Sequence, residues 1–529
     1  MFSKNQFIAI IFVVFSSNIS NGANILYLNG ISSPSHHFWN SALVNALAAR
    51  GHNVTFVTAD TEKNPQKNVH YLVMSELYNE AYDDVVQGFF NFVEIATPIT
   101  EPNFFTEYSL TMCRDIVKSA AFRRLLEYSN DFKFDLIIND MTLGGCLLGF
   151  AHKFQYPPII SVTAFSHPPY LTEYIGGHHY YAYIPHYALP YHGDLNFVQK
   201  AYNFFIHILS YYNWRYDYIP KVDKIMKEAY GSDLPSASEL EQRTALAFVS
   251  TTPVFDTTQP LPENVIQVAG LHVKDPKPLP KDLEEIIASG KKGSVFFSLG
   301  SNVPSSAMSL EKKKIFLDAF AQFPDFNFLW KYEKPIVDFK LPENVFIRSW
   351  LPQSDILNHT KIRAFITHSG SLSTFESIWR GVPMVGVPFA FDQHGNILKS
   401  IEKGVAEQVD FGTLSTEMVV DTLRKVLENS KYYVNAKQLA TRLKDQKEKP
   451  LERAVWWAEW LIRNPNCDYL KSPVLRLGFI AGNSYDIIAV ISIALFIIAW
   501  NITKFGLYLL KVLVGSSKPK TLWEDIRIN

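Results

Sequence analysis

The sequence predicts an α/β fold made of two facing, doubly wound halves, followed by a C-terminal membrane-spanning helix. Three observations carry this prediction. Apolar strands alternate with helical stretches in two series, one over residues 24–273 and one over 282–470. Between them, KDPKPLPK at 274–281 is proline-rich and charged, and it reads as an interdomain linker. Near the end, IIAVISIALFIIAWNITKFGLYLL at 487–510 is long and apolar enough to cross a bilayer. Its one charge, Lys504, is near enough to the end to snorkel.

Taken in order, the chain opens with Lys4, an apolar run over 7–15 and small or polar residues through Ala23, so 1–23 reads as a secretory signal peptide. A strand at 24–29, a Gly-Ile-Ser-Ser-Pro-Ser-His-His turn, a helix over about 38–50 closed by Gly51, and a strand at 54–58 form a βαβ unit. Further strands are expected at 134–138 and 158–162, with the first half closing near 265–270. The insert at 167–218 is crowded with Tyr, Phe, His and Trp. Such a stretch lines a pocket for an apolar acceptor, lies against a membrane face, or packs as core helices. In the second half, strands are expected at 293–301, 328–332, 345–350, 364–367 and 384–388, with a helix at 310–322 and helical sequence over 418–463. Lys511, Lys518 and Lys520 follow the span, which assigns 511–529 to a cytosolic tail and 24–486 to the lumen or exterior, a single-pass type I topology. Asn53-Val-Thr and Asn358-His-Thr are glycosylation sequons. Because Asn53 opens a strand expected to be buried, Asn358 is the favoured acceptor.

Composition narrows the classes. Of 529 residues, 47% are apolar and 19% charged, a globular balance with a membrane contribution and ample material for more than one core. A net charge of −1 points away from nucleic acid. Three cysteines, Cys113, Cys146 and Cys467, are too few and scattered for a disulfide scaffold or structural zinc; free buried thiols are expected, with room for one pair in an oxidising compartment.

The chemistry concentrates in AFITHSGSLSTFESIWRGVPMVGVPFAFDQ at 364–393. A buried strand, the turn His368-Ser369-Gly370 and a helix N-terminus around Ser373 make an anion site, because free backbone N–H groups and the helix dipole favour phosphate. Glu376, about two turns in, can accept hydrogen bonds from a ribose diol, and Asp392 and Gln393, expected at the end of the 384–388 strand, suit a polyhydroxylated sugar. These features together point to a nucleotide sugar.

That run, extended upstream through Trp350, Leu351, Pro352 and Gln353, resembles the donor-binding signature of the UDP-glycosyltransferases of the animal, insect-like membrane-bound type. The resemblance implies a GT-B fold of two Rossmann-like domains, the N-terminal one for acceptor and the C-terminal one for UDP-sugar. It implies that Trp350 stacks on uracil and Gln353 contacts the nucleoside. Counting back fifteen residues from Gly51 puts His36 at the family's base position, with His37 a rival by proximity, and Asp140 matches the acidic partner. A neutral imidazole can take the acceptor's proton while a carboxylate fixes its tautomer. Ser301 and His368 can stabilise the leaving diphosphate. No Asp-x-Asp pair or cluster with metal-ligand spacing appears, so the UDP-sugar is expected as co-substrate without a metal or other cofactor. Two departures stand out: many relatives carry Gly-Gly where this chain has Ser369-Gly370, and Leu372 replaces an Asn of vertebrate relatives.

The resemblance implies inverting hexose transfer, UDP-glucose first and UDP-glucuronic acid second, to the hydroxyl of a small lipophilic acceptor, in detoxification or inactivation, at the endoplasmic reticulum membrane. A glycolipid-forming transferase and a non-catalytic, membrane-tethered binding protein are the alternatives. Homo-oligomerisation stays open.

Overall fold

In a computed structural model, residues 22–79, 88–93, 95–166, 168–334 and 340–515 are described. Most of the expected leader and the tail lysines Lys518 and Lys520 lie outside them. Apolar β-branched runs buried on both faces make parallel strands, and here they make two sheets. The first contains β1 (Asn24–Leu28), β2 (Asn53–Thr58), β3 (Val69–Val73), β4 (Leu136–Asp140), β5 (Ile159–Thr163), β6 (Thr244–Val249) and β7 (Val265–Gln267), in the order 3-2-1-4-5-6-7. The second contains β8 (Gly293–Ser298), β9 (Phe326–Lys331), β10 (Val345–Arg348), β11 (Ile362–Thr367), β12 (Met384–Gly386) and β13 (Ala406–Gln408), in the order 10-9-8-11-12-13. Every described pairing is parallel.

Each order reverses direction once, between β1 and β4 in the first sheet and between β8 and β11 in the second. At such a point neighbouring crossovers diverge and leave a crevice beyond the strand ends. His36 and Asp140 follow or end β1 and β4; Ser301 and His368 follow β8 and β11. Topology alone therefore brings these four to the two crevices.

The core is layered on these sheets. Trp39, Leu43 and Leu47 of helix Pro34–Ala49 pack on one face of the first sheet with Tyr27 and Phe56, while Phe296 and Phe365 stack at 5.0 Å within the second. Each large apolar side chain so buried stabilises the fold by about 1.5–3 kcal/mol.

Four expectations change. Helical sequence over 418–463 divides into helices Thr416–Glu428, Ser430–Lys444 and Pro450–Arg463, and the last packs Ala454, Val455, Ala458 and Leu461 into the first half's core. Arg453 Nη1 also donates to the Gln267 carbonyl at 2.9 Å. The chain thus returns to its first half, because that helix's apolar face matches the open face beside helix Pro34–Ala49. Free thiols were expected, but Cys113 and Cys146 form a disulfide that ties helix Thr100–Ile116 to the loop after β4; Cys467 is free and buried. Asn53 begins β2 yet its side chain is exposed, so burial does not rank it below Asn358, which is exposed as well. Finally, His36 and His37 sit in the first turn of helix Pro34–Ala49 and not in a loop, because Pro34 starts the helix early.

Residues from Ser472 onward form a separate unit, in which helix Tyr485–Gly515 spans 31 residues and contains an 18-residue stretch of mean hydropathy 2.1. It contains the expected 487–510 segment.

Candidate active site

The early helix start places His36 with its imidazole against the end of β4. His36 Nδ1 lies 3.2 Å from Asp140 Oδ2, and both residues are buried. Asp140 is held by two further donors: Asn40 Nδ2 donates to Oδ2 at 2.8 Å and the Thr142 N–H donates to Oδ1 at 3.0 Å, while Tyr27 Oη fixes Asn40 by donating to its Oδ1 at 2.8 Å. Burial pushes the Asp140 carboxyl up, but the hydrogen bonds from His36, Thr142 and Asn40 and the nearby imidazole charge outweigh it and hold the group below its ordinary value. Asp140 is thus an anion buried beside an imidazole, with Nδ1 engaged and Nε2 left for a substrate on the cavity wall that His36 lines.

His37 has a different environment. Its Nδ1 meets Thr58 Oγ1 at 3.0 Å, its Nε2 meets Ser41 Oγ at 3.1 Å, and its ring stacks on Phe56. Both nitrogens are used inside the core, and burial holds the imidazole below its usual value. The two histidines therefore differ in direction: His36 faces the cavity and His37 the sheet.

That cavity is about 870 Å³ and is lined from both halves. On the second half, His368 follows β11, wedged where a Cβ on Gly300 or Gly370 would approach its ring within 2.6 and 2.4 Å, so both positions need glycine for the ring to fit. Burial and the charge of Lys331 lower its pKa to about 4, which keeps it neutral, and its Nδ1 is buried without a partner. Helix Ser371–Arg380 starts beside it with no side-chain cap. The Ser371 N–H goes to Asp392 Oδ2 at 3.1 Å, and the next N–H groups remain for an anion.

Glu376 and Gln353 meet across this helix, Gln353 Nε2 donating to Glu376 Oε2 at 2.6 Å and to Ser373 Oγ at 3.1 Å. Burial pushes the Glu376 carboxyl up to about 7. Trp350 is 60% exposed, an open ring platform beside Phe38. Asp392 and Gln393 were expected at a strand end; instead β12 ends at Gly386 and they begin helix Asp392–Glu402. Burial raises the Asp392 carboxyl to about 6 while Asn396 Nδ2 donates to it at 2.6 Å. Gln393 Oε1 accepts the Phe389 N–H at 2.8 Å.

Of the expected donor-site residues, Ser301, Trp350, Gln353, His368, Gly370, Ser373, Glu376, Asp392 and Gln393 line this one cavity. Ser369 does not. Its φ of 64° turns the side chain inward, where Oγ is buried against Gly386 without a hydrogen bond, so the expected hydroxyl–phosphate contact is not available. Leu372 keeps its backbone beside His272 while its side chain joins the first half's core.

Several residues here were not singled out from sequence. Asn40 lies one turn after His36, a spacing that puts both on one helix face and was the available signal. Lys331 donates to the Gly300 carbonyl at 3.0 Å beside His368. Glu101 Oε2 accepts the Phe391 N–H at 3.1 Å from the opposite half, and burial raises its carboxyl to about 7. Nothing local in the sequence announces that last contact. Among the described residues no group of three His, Cys, Asp or Glu side chains is arranged to hold a metal ion.

A family model described as "UDP-glucoronosyl and UDP-glucosyl transferase" matches residues 30–520. The chain belongs to this family. It is 34% identical over 478 residues to UDP-glucosyltransferase 2 of Dactylopius coccus, covering 88% of this chain and 90% of that one. It is 31% identical over 508 residues to human UDP-glucuronosyltransferase 2B15, covering 92% and 93%. Among solved structures, it is similar to the calicheamicin glycosyltransferase CalG4, with a TM-score of 0.54 at 19% identity over 84% of this chain and 99% of that one. It is likewise similar to Os79 of O. sativa, with a TM-score of 0.55 at 16% identity over 82% and 99%. The protein is a UDP-glycosyltransferase with the GT-B fold, and its two crevices face one cavity as that fold requires.

Proposed function

We propose that this UDP-glycosyltransferase carries out inverting transfer of glucose from UDP-glucose to the hydroxyl of a small lipophilic acceptor. The observation that carries the reading is the buried His36–Asp140 pair, facing the same cavity as His368 and the uncapped helix N-terminus. His36 Nε2 takes the acceptor's proton as its oxygen attacks the anomeric carbon; the bond from that carbon to the diphosphate oxygen breaks, and UDP leaves with the electron pair. Asp140 positions the ring and stabilises the imidazolium. His368 and the helix N–H groups take up charge on the leaving diphosphate, so no metal ion is required in this account. Trp350 and Gln353 hold the nucleoside, Glu376 the ribose, and Asp392 and Gln393 the sugar.

Charge supports a neutral hexose. No arginine is among the cavity-lining residues described, and Lys399 is paired with Asp256 at 2.7 Å. Lys331 is committed to Gly300 and Glu333, while Lys277 lies beside Trp350 at the nucleoside end. A uronate carboxylate would meet Asp392, with Glu101 behind Phe391. The apolar helix Tyr485–Gly515 supports membrane anchoring, with the two α/β halves in the lumen of the endoplasmic reticulum and the product serving detoxification or inactivation.

The test is UDP release from membranes carrying the protein, given UDP-glucose or UDP-glucuronic acid and a panel of phenols, with and without a chelator. Turnover with UDP-glucose that survives chelation is the expected result. Preference for UDP-glucuronic acid overturns the donor assignment, and loss on chelation overturns the metal-free step.

A further inference from the structure

Helix Phe197–Tyr212 carries its apolar stripe on the side turned away from the core. Asn203, Ile206 and His207 are its buried residues. At 100° per residue, Phe197, Val198, Ala201, Phe204, Phe205, Ile208 and Tyr212 fall within one third of the helix circumference, away from that buried side. Phe197 and Val198 are 84% and 74% exposed, and Phe204, Phe205 and Tyr212 are each about half exposed; Tyr216, in the π-helical turn Asn213–Tyr218 that follows, is exposed as well. A soluble surface seldom carries so many adjacent bare aromatic rings.

We propose that this stripe is a second membrane contact, lying in the interfacial layer of the bilayer to which the chain is tethered. The proposal rests on the membrane-anchoring reading above. Phe and Tyr rings are suited to the boundary between acyl chains and headgroups, and the exposed Lys200, at the edge of the stripe on the same helix, is suited to an anionic headgroup. A second copy of the chain is the other occupant; lipid is favoured because the apolar helix Tyr485–Gly515 already holds the chain at a bilayer in the reading above. The placement also serves the reaction. His207 of this same helix lines the cavity, as do Ile184, Pro185 and Tyr191 from the loop before it. A lipophilic acceptor dissolved in the bilayer would therefore reach the cavity beside the helix that rests on the lipid.

The experiment uses the full chain reconstituted in phosphatidylcholine–phosphatidylserine vesicles with brominated acyl chains. Single cysteines at Phe205→Cys, Tyr212→Cys, Leu495→Cys in the apolar helix and Lys431→Cys on the second half carry an environment-sensitive fluorophore. Native background is low because Cys113 and Cys146 are bonded and Cys467 is buried. Quenching at 205, 212 and 495 but not at 431 is expected. Quenching at 495 without 205 or 212 overturns the stripe proposal and leaves anchoring intact; no quenching at 495 overturns the anchoring reading, and the proposal with it. Shielding at 205 and 212 that depends on protein concentration and not on brominated lipid assigns the stripe to a second copy, which also overturns the proposal. Phe204→Ser with Phe205→Ser should raise KM several-fold for an apolar acceptor supplied in vesicles and leave KM for a water-soluble phenol unchanged.

Discussion

Replacing Asp140 with Asn should cost about three orders of magnitude in kcat and leave UDP binding intact. In the native arrangement Oδ1 accepts the Thr142 N–H, and Oδ2 accepts Asn40 Nδ2 and faces His36 Nδ1 at 3.2 Å. An amide has only one acceptor oxygen. If it stays with Thr142, the new NH2 confronts Asn40, whose own orientation Tyr27 fixes, and the His36 ring must present a bare Nδ1. The proton then sits on Nε2, where it cannot accept another from the substrate. The lost carboxylate also no longer offsets the imidazolium: at 3.2 Å and an effective dielectric of about 20, that attraction is about 5 kcal/mol, an upper figure corresponding to a rate loss of about 10³–10⁴. The assay is single-turnover UDP release at saturating donor and acceptor, alongside calorimetric UDP binding. Retention of kcat within about tenfold of the native value would refute the positioning role. Parallel loss of UDP binding would mean that the substitution had damaged the fold instead.

Other consequences can be checked separately. Ser369→Gly should raise stability by about 1 kcal/mol, since glycine tolerates the positive φ and removes a buried hydroxyl without a partner; an unchanged or lower melting temperature contradicts this. Glu376 titrates near 7 in the folded protein, above its ordinary value, so the folded state holds the extra proton between about pH 4.5 and 7 and loses that contribution as pH rises. Glu376→Gln should therefore gain stability relative to the native protein, by about 1–3 kcal/mol, on going from pH 5 to pH 8 in paired melting curves, while weakening UDP binding. Glu101→Ala should raise KM for the UDP-sugar, with UDP affinity unchanged, because it frees Phe391 and the Asp392 that follows. Glu101→Gln, which keeps an acceptor for the Phe391 N–H, should restore it; failure of that rescue would show that the charge matters more than the hydrogen bond.

Much of the fold was legible because strand and helix periodicities are local. The strand and helix alternation on either side of residues 274–281 and the apolar span were each written in short windows. Two strands, Val69–Val73 and Ala406–Gln408, went unassigned because they are short edge-side runs with polar residues, and Thr244–Val249 because it lies against helical sequence. The return of helix Pro450–Arg463 to the first half depends on two apolar faces far apart in sequence, which no window contains. The Cys113–Cys146 bond is similar: 33 residues separate its ends, and only the packing of helix Thr100–Ile116 on the loop after β4 makes them neighbours. Within the site, residue types at strand ends indicated what could converge, since the two sheet orders force it. Side-chain direction was not indicated. His36 and His37 are adjacent and chemically identical, and only the early helix start turns one to the cavity and the other to Thr58; Ser369 looked like a phosphate contact until its backbone turned it inward.

The most direct test compares His36→Ala with His37→Ala for UDP release and for UDP binding. His36→Ala should bind UDP normally and transfer no sugar, while folded His37→Ala should retain transfer at a lower melting temperature. Transfer by His36→Ala, or its loss in a folded His37→Ala that still binds UDP, would contradict the assignment of the base on which the mechanism depends.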